Sequence, residues 1–236
     1  MSGSQGFQFK RFFIAHDRCA MKVNTDGIVL GALADIDKAQ RILDLGTGTG
    51  LIAIMLAQRT ACTVQITAVE LETAAAAQAY ANAQNSPWYK RLHIVQGDVM
   101  TLDFAPCFDL IVSNPPYFEH SPASRDHQRD LARLAMTSHF DWLKKAKNWL
   151  APAGKISLIL PIDAAEKLIE PAQTLGLHCV EYWQIQTKIN KPPKRAVVSF
   201  SFIYQWLIRK ILVIYRQDNQ YTDQFKRLTQ DFYLNF

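Results

Sequence analysis

Arg41-Ile42-Leu43-Asp44-Leu45-Gly46-Thr47-Gly48-Thr49-Gly50 reads as a short buried strand opening onto a glycine loop, and Leu51-Ile52-Ala53-Ile54-Met55-Leu56-Ala57 continues it as a helix. Strand, glycine loop and helix in that order make a nucleotide-binding turn. Glycine lets the backbone approach a ligand closely and take positive φ, which a Cβ would resist. Working outward, Val64-Gln65-Ile66-Thr67-Ala68-Val69 is a second strand ending at Glu70. That acid falls about 20 residues past the loop, the spacing of a ribose hydroxyl partner. A third strand, Leu92-His93-Ile94-Val95, ends near Gly97-Asp98, and a fourth, Phe108-Asp109-Leu110-Ile111-Val112, runs into Asn114-Pro115-Pro116-Tyr117.

The last four residues sit where a buried strand leaves its sheet, the place where open α/β sheets hold ligands. Consecutive prolines hold φ at about −65° and remove two backbone donors, which leaves the carbonyls of Asn114 and Pro115 turned outward as acceptors. With the Asn114 side-chain oxygen, they form a receptor beside an aromatic ring for a planar group carrying NH2. Adenine N6, cytosine N4, guanine N2 and a glutamine amide all qualify. The glycine loop alone also suits a dinucleotide oxidoreductase, since Gly48-x-Gly50-x-x-Ala53 with Glu70 meets the loose fingerprint of that class. Asp44 ahead of the first glycine, and a proline turn for which hydride transfer has no use, favour a methyl donor. No Gly-Lys-Ser/Thr follows the loop, which argues against a nucleoside triphosphatase.

The chain has 236 residues, 49% of them hydrophobic, enough for one large core. The alternation of elements continues past the fourth strand, with helices over residues 142–150 and 164–175, the second opened by Asp163. Strands are expected over 155–160, 180–186 and 196–202. The linker Lys188-Ile189-Asn190-Lys191-Pro192-Pro193-Lys194-Arg195 is short enough for an antiparallel hairpin. One doubly wound α/β domain over residues 1–236 is the economical reading, with an N-terminal segment, 1–40, and a C-terminal extension, 204–236, packed on it. Residues 203–215 are apolar but are broken by Gln205, Arg209 and Lys210 and are too short to span a bilayer, so they read as strand and core. Lys10, Arg11, His16 and Asp17 interrupt the first apolar stretch, so no signal peptide is expected there. Four scattered cysteines, at 19, 62, 107 and 179, argue against a zinc ribbon or a disulfide framework and for the cytosol. The six histidines form no ligand-spaced pair, so no metal is expected; His127 and His139 are candidate substrate contacts.

Lys and Arg number 26 against 21 acids, a modest excess of +5. Its placement says more. Arg125, Arg129 and Arg133 recur every four residues just past the proline turn, so on a helix they share one face. Lys188, Lys191, Lys194 and Arg195 form a second basic group; both groups read as phosphate contacts. Lys144, Lys145 and Lys147 read as a solvated face. Tyr117 and Phe118, with Phe12 or Phe13, are placed to sandwich an unstacked base.

Taken in order, Asp44-Leu45-Gly46-Thr47-Gly48-Thr49-Gly50, Glu70, Asp98 and Asn114-Pro115-Pro116-Tyr117 resemble the signatures of Rossmann-like, S-adenosylmethionine-dependent N-methyltransferases over roughly residues 20 to 160. The flanks narrow the likeness: Cys19-Ala20-Met21-Lys22-Val23-Asn24-Thr25-Asp26-Gly27-Ile28-Val29-Leu30-Gly31 and Tyr221-Thr222-Asp223-Gln224-Phe225, followed by Leu228-Thr229-Gln230-Asp231-Phe232-Tyr233-Leu234. With them the chain resembles the small bacterial enzymes that methylate N6 of the adenosine beside the anticodon, position 37, of valine tRNA. The resemblance implies a seven-stranded, mostly parallel sheet with an antiparallel edge strand, and S-adenosylmethionine as cofactor. It places the donor's methionine part along Asp44, Gly46, Thr47, Gly48 and Gly50, beside Lys22, Thr25 and Asp26, its ribose on Glu70 with Leu71, and its adenine on Asp98 and Val99. Asn114, Pro115, Pro116 and Tyr117 take the catalytic role, with Asn114 also touching the donor. The implied partner is the anticodon stem-loop of tRNA, bound by a monomer with no membrane contact.

Three rivals stay open on the residues. A protein glutamine-N5 methyltransferase shares the proline turn, but only about 40 residues precede the glycine loop here, too few for the helical substrate domain such enzymes carry. A guanine-N2 enzyme more often carries Phe at the place of Tyr117. A silent RNA-binding module is expected to have lost the glycine loop or Asn114, and both are intact.

Overall fold

The computed structural model describes residues 5–19, 21–115 and 139–235. A two-stranded antiparallel hairpin, β1 (Gly6–Gln8) and β2 (Phe13–Ala15), precedes α1 (Thr25–Leu33), and then strands and helices alternate: β3 (Arg41–Leu45), α2 (Leu51–Arg59), β4 (Gln65–Glu70), α3 (Thr73–Gln84), β5 (Leu92–Gln96) and β6 (Phe108–Ser113). After residue 138 come α4 (His139–Lys147), β7 (Leu150–Pro161), α5 (Ile162–Thr174), β8 (His178–Lys188), β9 (Arg195–Ser201), β10 (Ile208–Tyr215) and α6 (Asp223–Thr229). The main sheet has the order β10-β8-β9-β7-β6-β3-β4-β5. Only β9 runs against its neighbours; every other pairing in this sheet is parallel.

Period-2 alternation explains the two cores. Ile42, Ile66, Leu110 and Val112 point to one face, under α1, α2 and α6, while Leu43, Leu45, Val69 and Ile111 point to the other, under α4 and α5. The sheet is therefore buried on both sides, as a doubly wound fold requires. The chain winds outward from β3 to β5 and then returns to lay β6 against the free side of β3, so the winding direction reverses between β3 and β6. The crevice at the carboxyl ends of those two strands is the switch point.

The structure departs from the sequence reading in several places. Among the described residues the sheet has eight strands, and the antiparallel strand is interior, since β10 crosses beyond β9 to pair in parallel with β8 and become the edge. That edge is protected: Gln224 Nε2 donates to the Ile211 carbonyl at 2.9 Å and Thr222 Oγ1 to the Val213 carbonyl at 2.5 Å, so α6 and its N-cap occupy acceptors that a neighbouring chain would otherwise pair. The helix expected over 142–150 ends at Lys147, because the Trp149 carbonyl accepts from the amides of Cys107 and Phe108 and draws the chain into the sheet. Asp163 lies inside the first turn of α5 and does not cap it; the cap position is Pro161. Among the described residues no helix is long and apolar enough to cross a membrane.

The N-terminal segment is bound to the sheet through α3. Asn82, buried, accepts from the Ala15 amide at 3.0 Å and donates from Nδ2 to the carbonyls of Ala15 at 2.9 Å and Thr49 at 2.8 Å. One amide thus joins hairpin, helix and glycine loop. Gln78 repeats the device one turn earlier, accepting from the Arg18 amide and donating to Asp17. Asn82→Ala leaves three backbone groups without that partner and is expected to lower unfolding free energy by about 2–4 kcal/mol, read from urea denaturation with an unchanged m-value.

Candidate active site

The glycine loop and the proline turn emerge side by side because β3 and β6 pair in register, with Leu45 opposite Ser113. Gly46, Gly48 and Gly50 take φ of +69°, +57° and +81°, so the loop folds back on itself in a conformation that side chains resist. Gly50 then serves as the N-cap of α2, so this helix end has no side-chain cap. The loop is held from β4: the Thr47 amide donates to the Val69 carbonyl at 2.9 Å, and the Gly48 amide donates to Glu70 Oε2 at 2.7 Å. The second Glu70 oxygen accepts from the Glu72 amide at 3.0 Å. Next to it Leu71 is 55% exposed, an apolar surface beside a carboxylate at the mouth of the crevice.

Asp44 is fully buried, and the Thr47 hydroxyl donates to its Oδ2 at 2.5 Å while Oδ1 has no hydrogen-bond partner among the described residues. Burial pushes its carboxyl up to about 7, against the pull of the Thr47 hydroxyl and with some repulsion from Glu70. Asp98 accepts from the Met100 amide at 2.8 Å and so shapes the turn after β5, while the Val99 side chain is buried with Leu45, Val69 and Trp142.

Between β2 and α1, the chain passes in front of this loop. Cys19 Sγ lies 3.7 Å from where a Cβ on Gly48 would be, and burial raises its thiol pKa. Lys22 and Thr25 are exposed near the start of α1, whose N-cap is Asn24. Asp26 is drawn to Arg195, at 2.8 Å, so this carboxylate and the first residue of β9 form a pair.

Asn114 follows the last residue of β6. Its Nδ2 donates to Met21 Sδ at 3.8 Å, while Oδ1 is buried and has no hydrogen-bond partner among the described residues. An unfilled amide oxygen is costly unless something donates to it. Pro115 is buried behind it. Pro116, Tyr117, Phe118, Arg125, His127, Arg129 and Arg133 lie outside the described residues. Of the aromatic pair expected to reach a base, Phe12 is 4% exposed and stacked on Phe9 at 4.5 Å in the hairpin core, so it is unavailable, whereas Phe13 is 45% exposed. Lys191 and Lys194 are exposed on the hairpin between β8 and β9, at the same carboxyl edge as Asn114, and neither has a carboxylate within 4.0 Å among the described residues. Arg195 differs from them, being paired with Asp26.

Ser113 and Trp142 were invisible as site residues in the sequence. Ser113 Oγ donates to the Leu45 carbonyl at 2.6 Å and accepts from Trp142 Nε1 at 3.1 Å. The only signal was a hydroxyl at the end of an otherwise apolar strand. A cleft of about 730 Å³ opens at the opposite, amino-terminal edge of the sheet. Lys155 pairs there with Asp35 at 2.5 Å, Lys210 with Glu181 at 2.9 Å, and Arg59 donates to the carbonyls of Gly31 and Ala34, while Asp37 and Lys38 also line the cleft.

The buried carboxyl of Asp44 has a stability signature. Its pKa is higher folded than unfolded, so between about pH 4 and 7 the native state holds a proton the unfolded state has released, and stability falls as pH rises through that window. From pH 5 to pH 8 the ligand-free protein is expected to lose more stability than Asp44→Asn, by on the order of 2–4 kcal/mol, in paired denaturation curves. Equal losses would place the Asp44 pKa near its ordinary value.

Residues 27–165 match the family described as methyltransferase small domain. The chain is 60% identical over 235 residues, 100% of both chains, to the tRNA1(Val) (adenine(37)-N6)-methyltransferase of Actinobacillus pleuropneumoniae serotype 7, and 59% identical over 229 residues, 97% of both, to the protein of that name in Glaesserella parasuis serovar 5. Its fold is similar to the crystal structure of a predicted O-methyltransferase, Atu636, from Agrobacterium tumefaciens, with a TM-score of 0.69 at 20% identity, covering 88% of this chain and 96% of that one. With a family match across more than half its length and relatives this similar end to end, the chain belongs to the methyltransferase small domain family and, within it, to the tRNA1(Val) (adenine(37)-N6)-methyltransferases.

Proposed function

We propose that this protein methylates N6 of adenosine 37, the nucleotide beside the anticodon, in valine tRNA, using S-adenosylmethionine. The observation that carries the reading is the buried Asn114 Oδ1, an acceptor with no donor among the described residues, set at the switch point next to the glycine loop. The relatives' names supply the nucleotide.

The residues present fit the cofactor: a loop of three glycines at positive φ, the amides of a helix end, a carboxylate at the end of β4 and an exposed leucine beside it. Glu70 would hold the ribose hydroxyls, exchanging its present bond to the Gly48 amide, Leu71 would cover the adenine, and Asp98 with the Val99 backbone would meet the adenine edge. Lys22 and Thr25 would border the methionine part, and Asp44 with Thr47 supports the loop from beneath. When bound, S-adenosylmethionine supplies an electrophilic methyl group on a sulfonium.

The exocyclic amine of adenine is a poor nucleophile because its lone pair is delocalised into the ring. Accepting one amine hydrogen at Asn114 Oδ1 and the other at the Pro115 carbonyl favours a pyramidal nitrogen and frees that lone pair. Such positioning contributes on the order of 7–11 kcal/mol in well-oriented reactions, so a strong general base is not needed. Tyr117 would stack on the base once it leaves the anticodon loop, where unstacking costs only a few kcal/mol. Lys191 and Lys194 would contact phosphates at the same edge, together with Arg125, Arg129 and Arg133. Arg195 would orient the hairpin through Asp26.

The hydrogen bonds of Asn82, Gln78 and Arg195 to residues 15–26, and those of Gln58 Nε2 to the Asp231 carbonyl and of the Lys10 amide to the Phe232 carbonyl, support one domain over residues 1–236, with 1–40 and 204–236 packed on it. The protected β10 edge supports a monomer. A tRNA substrate supports a cytoplasmic enzyme.

Two measurements test this reading. Asn114→Ala should abolish methyl transfer to tRNA lacking the modification while S-adenosylmethionine affinity stays within about threefold, since truncation removes only the amine's partner; equal loss of both would remove Asn114 from the amine site. Lys191→Ala with Lys194→Ala should weaken tRNA binding and reduce the slope of log K against log salt by about 1–2. An unchanged slope would return both lysines to the solvated surface.

A further inference from the structure

We infer that Trp142 and Ser113 are positioning residues that lock the amine-binding turn to the glycine loop, an inference that rests on Asn114 being the amine acceptor. Ser113 is the last residue of β6 and Leu45 the last of β3, each adjacent in sequence to one half of the site: Asn114 on one side and Gly46 on the other. The Ser113 hydroxyl donates to the Leu45 carbonyl at 2.6 Å, a bond across the two strands added to the backbone ladder between them. A hydroxyl can rotate, and the Trp142 indole prevents that. Its Nε1 donates to Ser113 Oγ at 3.1 Å, which occupies a lone pair and leaves the hydroxyl proton for Leu45. Ser113 is fully buried and Trp142 nearly so, so water does not compete for either bond.

The same indole reaches the second half of the site. Trp142 Cζ2 lies 3.7 Å from where a Cβ on Gly46 would be, so the ring forms the floor under the first turn of the loop. Trp142 also belongs to the first turns of α4, where the chain returns after the segment that begins at Asn114. One side chain therefore packs under the cofactor loop and bonds the residue next to the amine acceptor. The reaction needs methyl and nitrogen aligned, and a misplacement of about 1 Å can cost on the order of a hundredfold in rate. Neither residue touches substrate or cofactor in this scheme; both act through Asn114 and Gly46.

Trp142→Phe keeps an aromatic ring under Gly46 and removes the donor. The single-turnover rate of methyl transfer to unmodified tRNA, at saturating cofactor and tRNA, is expected to fall about tenfold or more, with S-adenosylmethionine Kd and tRNA KM within about twofold of wild type. Ser113→Ala, which deletes one oxygen, should produce the same fall, and the double variant should be no slower than the worse single one, because the two groups act as one unit. A wild-type single-turnover rate in folded Trp142→Phe or Ser113→Ala, or rate losses that multiply in the double variant, would overturn the proposal. Should Trp142→Phe not fold, Ser113→Ala alone decides it by the same rate. Asn114→Ala run in parallel separates the two claims: if it stays active, the amine-acceptor reading itself fails, whereas an inactive Asn114→Ala beside a fully active Trp142→Phe removes only the positioning role.

Discussion

The parallel pairing of β3 with β6 is the constraint on which the rest depends. These strands are separated in sequence by two other strands, yet Leu45 lies opposite Ser113, so a glycine loop and a proline turn that are 64 residues apart open into one crevice. A slip of one residue in that register would turn Leu43 and Leu45 to the opposite face and exchange the two cores. Hydrophobic alternation therefore fixes the spacing of the two halves of the site, and among its described residues only the glycines take positive φ.

Several buried polar groups surround this crevice. Asp44, Thr47, Ser113 and Asn82 are all buried, and each bonds a segment of the site to another. Others lie away from it, such as Arg91, which donates to the Thr60 hydroxyl and the Val64 carbonyl, and the hydroxyl pair of Ser157 and Ser199, 2.8 Å apart across β7 and β9. Buried polar bonds of this kind add direction to a core that hydrophobic packing alone would leave adaptable. Asn114 Oδ1, beside the crevice, has no donor among the described residues. An acceptor left so at a switch point belongs where a ligand completes the hydrogen bonding.

The parts added to the sheet serve distinct ends. The N-terminal hairpin and the strand-to-helix segment behind it bring Cys19 and Met21 in front of the glycine loop and Asn114. The C-terminal helix covers the exposed edge of β10, which explains why polar residues such as Thr222 and Gln224 interrupt its apolar pattern: they hydrogen-bond a neighbouring strand. The hairpin after β8 carries its free lysines to the same edge as the crevice, since β8 and β9 meet there.

The elements that hold the site were legible because their signals are local. A run such as Arg41 to Leu45 followed by glycines can fold in few ways, and two prolines after an apolar strand restrict their own backbone whatever surrounds them. The same local chemistry marked Glu70, Asp98 and Asn114 as candidates. What stayed hidden depends on partners distant in sequence. Nothing near Asp26 announces Arg195, 169 residues away, and nothing near Ser113 announces Trp142. Phe12 and Phe13 look alike in sequence, but one is buried against Phe9 and the other exposed, because side chains of a strand alternate between faces and only the packing of the hairpin says which face is inside. The position of β10 was equally undecided, since an apolar strand pairs with whichever edge the fold leaves open. The sequence by itself thus determined the winding of the sheet and the chemical groups at its carboxyl edge, through backbone restriction and hydrophobic period. Only the tertiary structure decided which of those groups are paired, which are free and what holds them in line, because those properties arise from contacts between segments that local chemistry cannot encode.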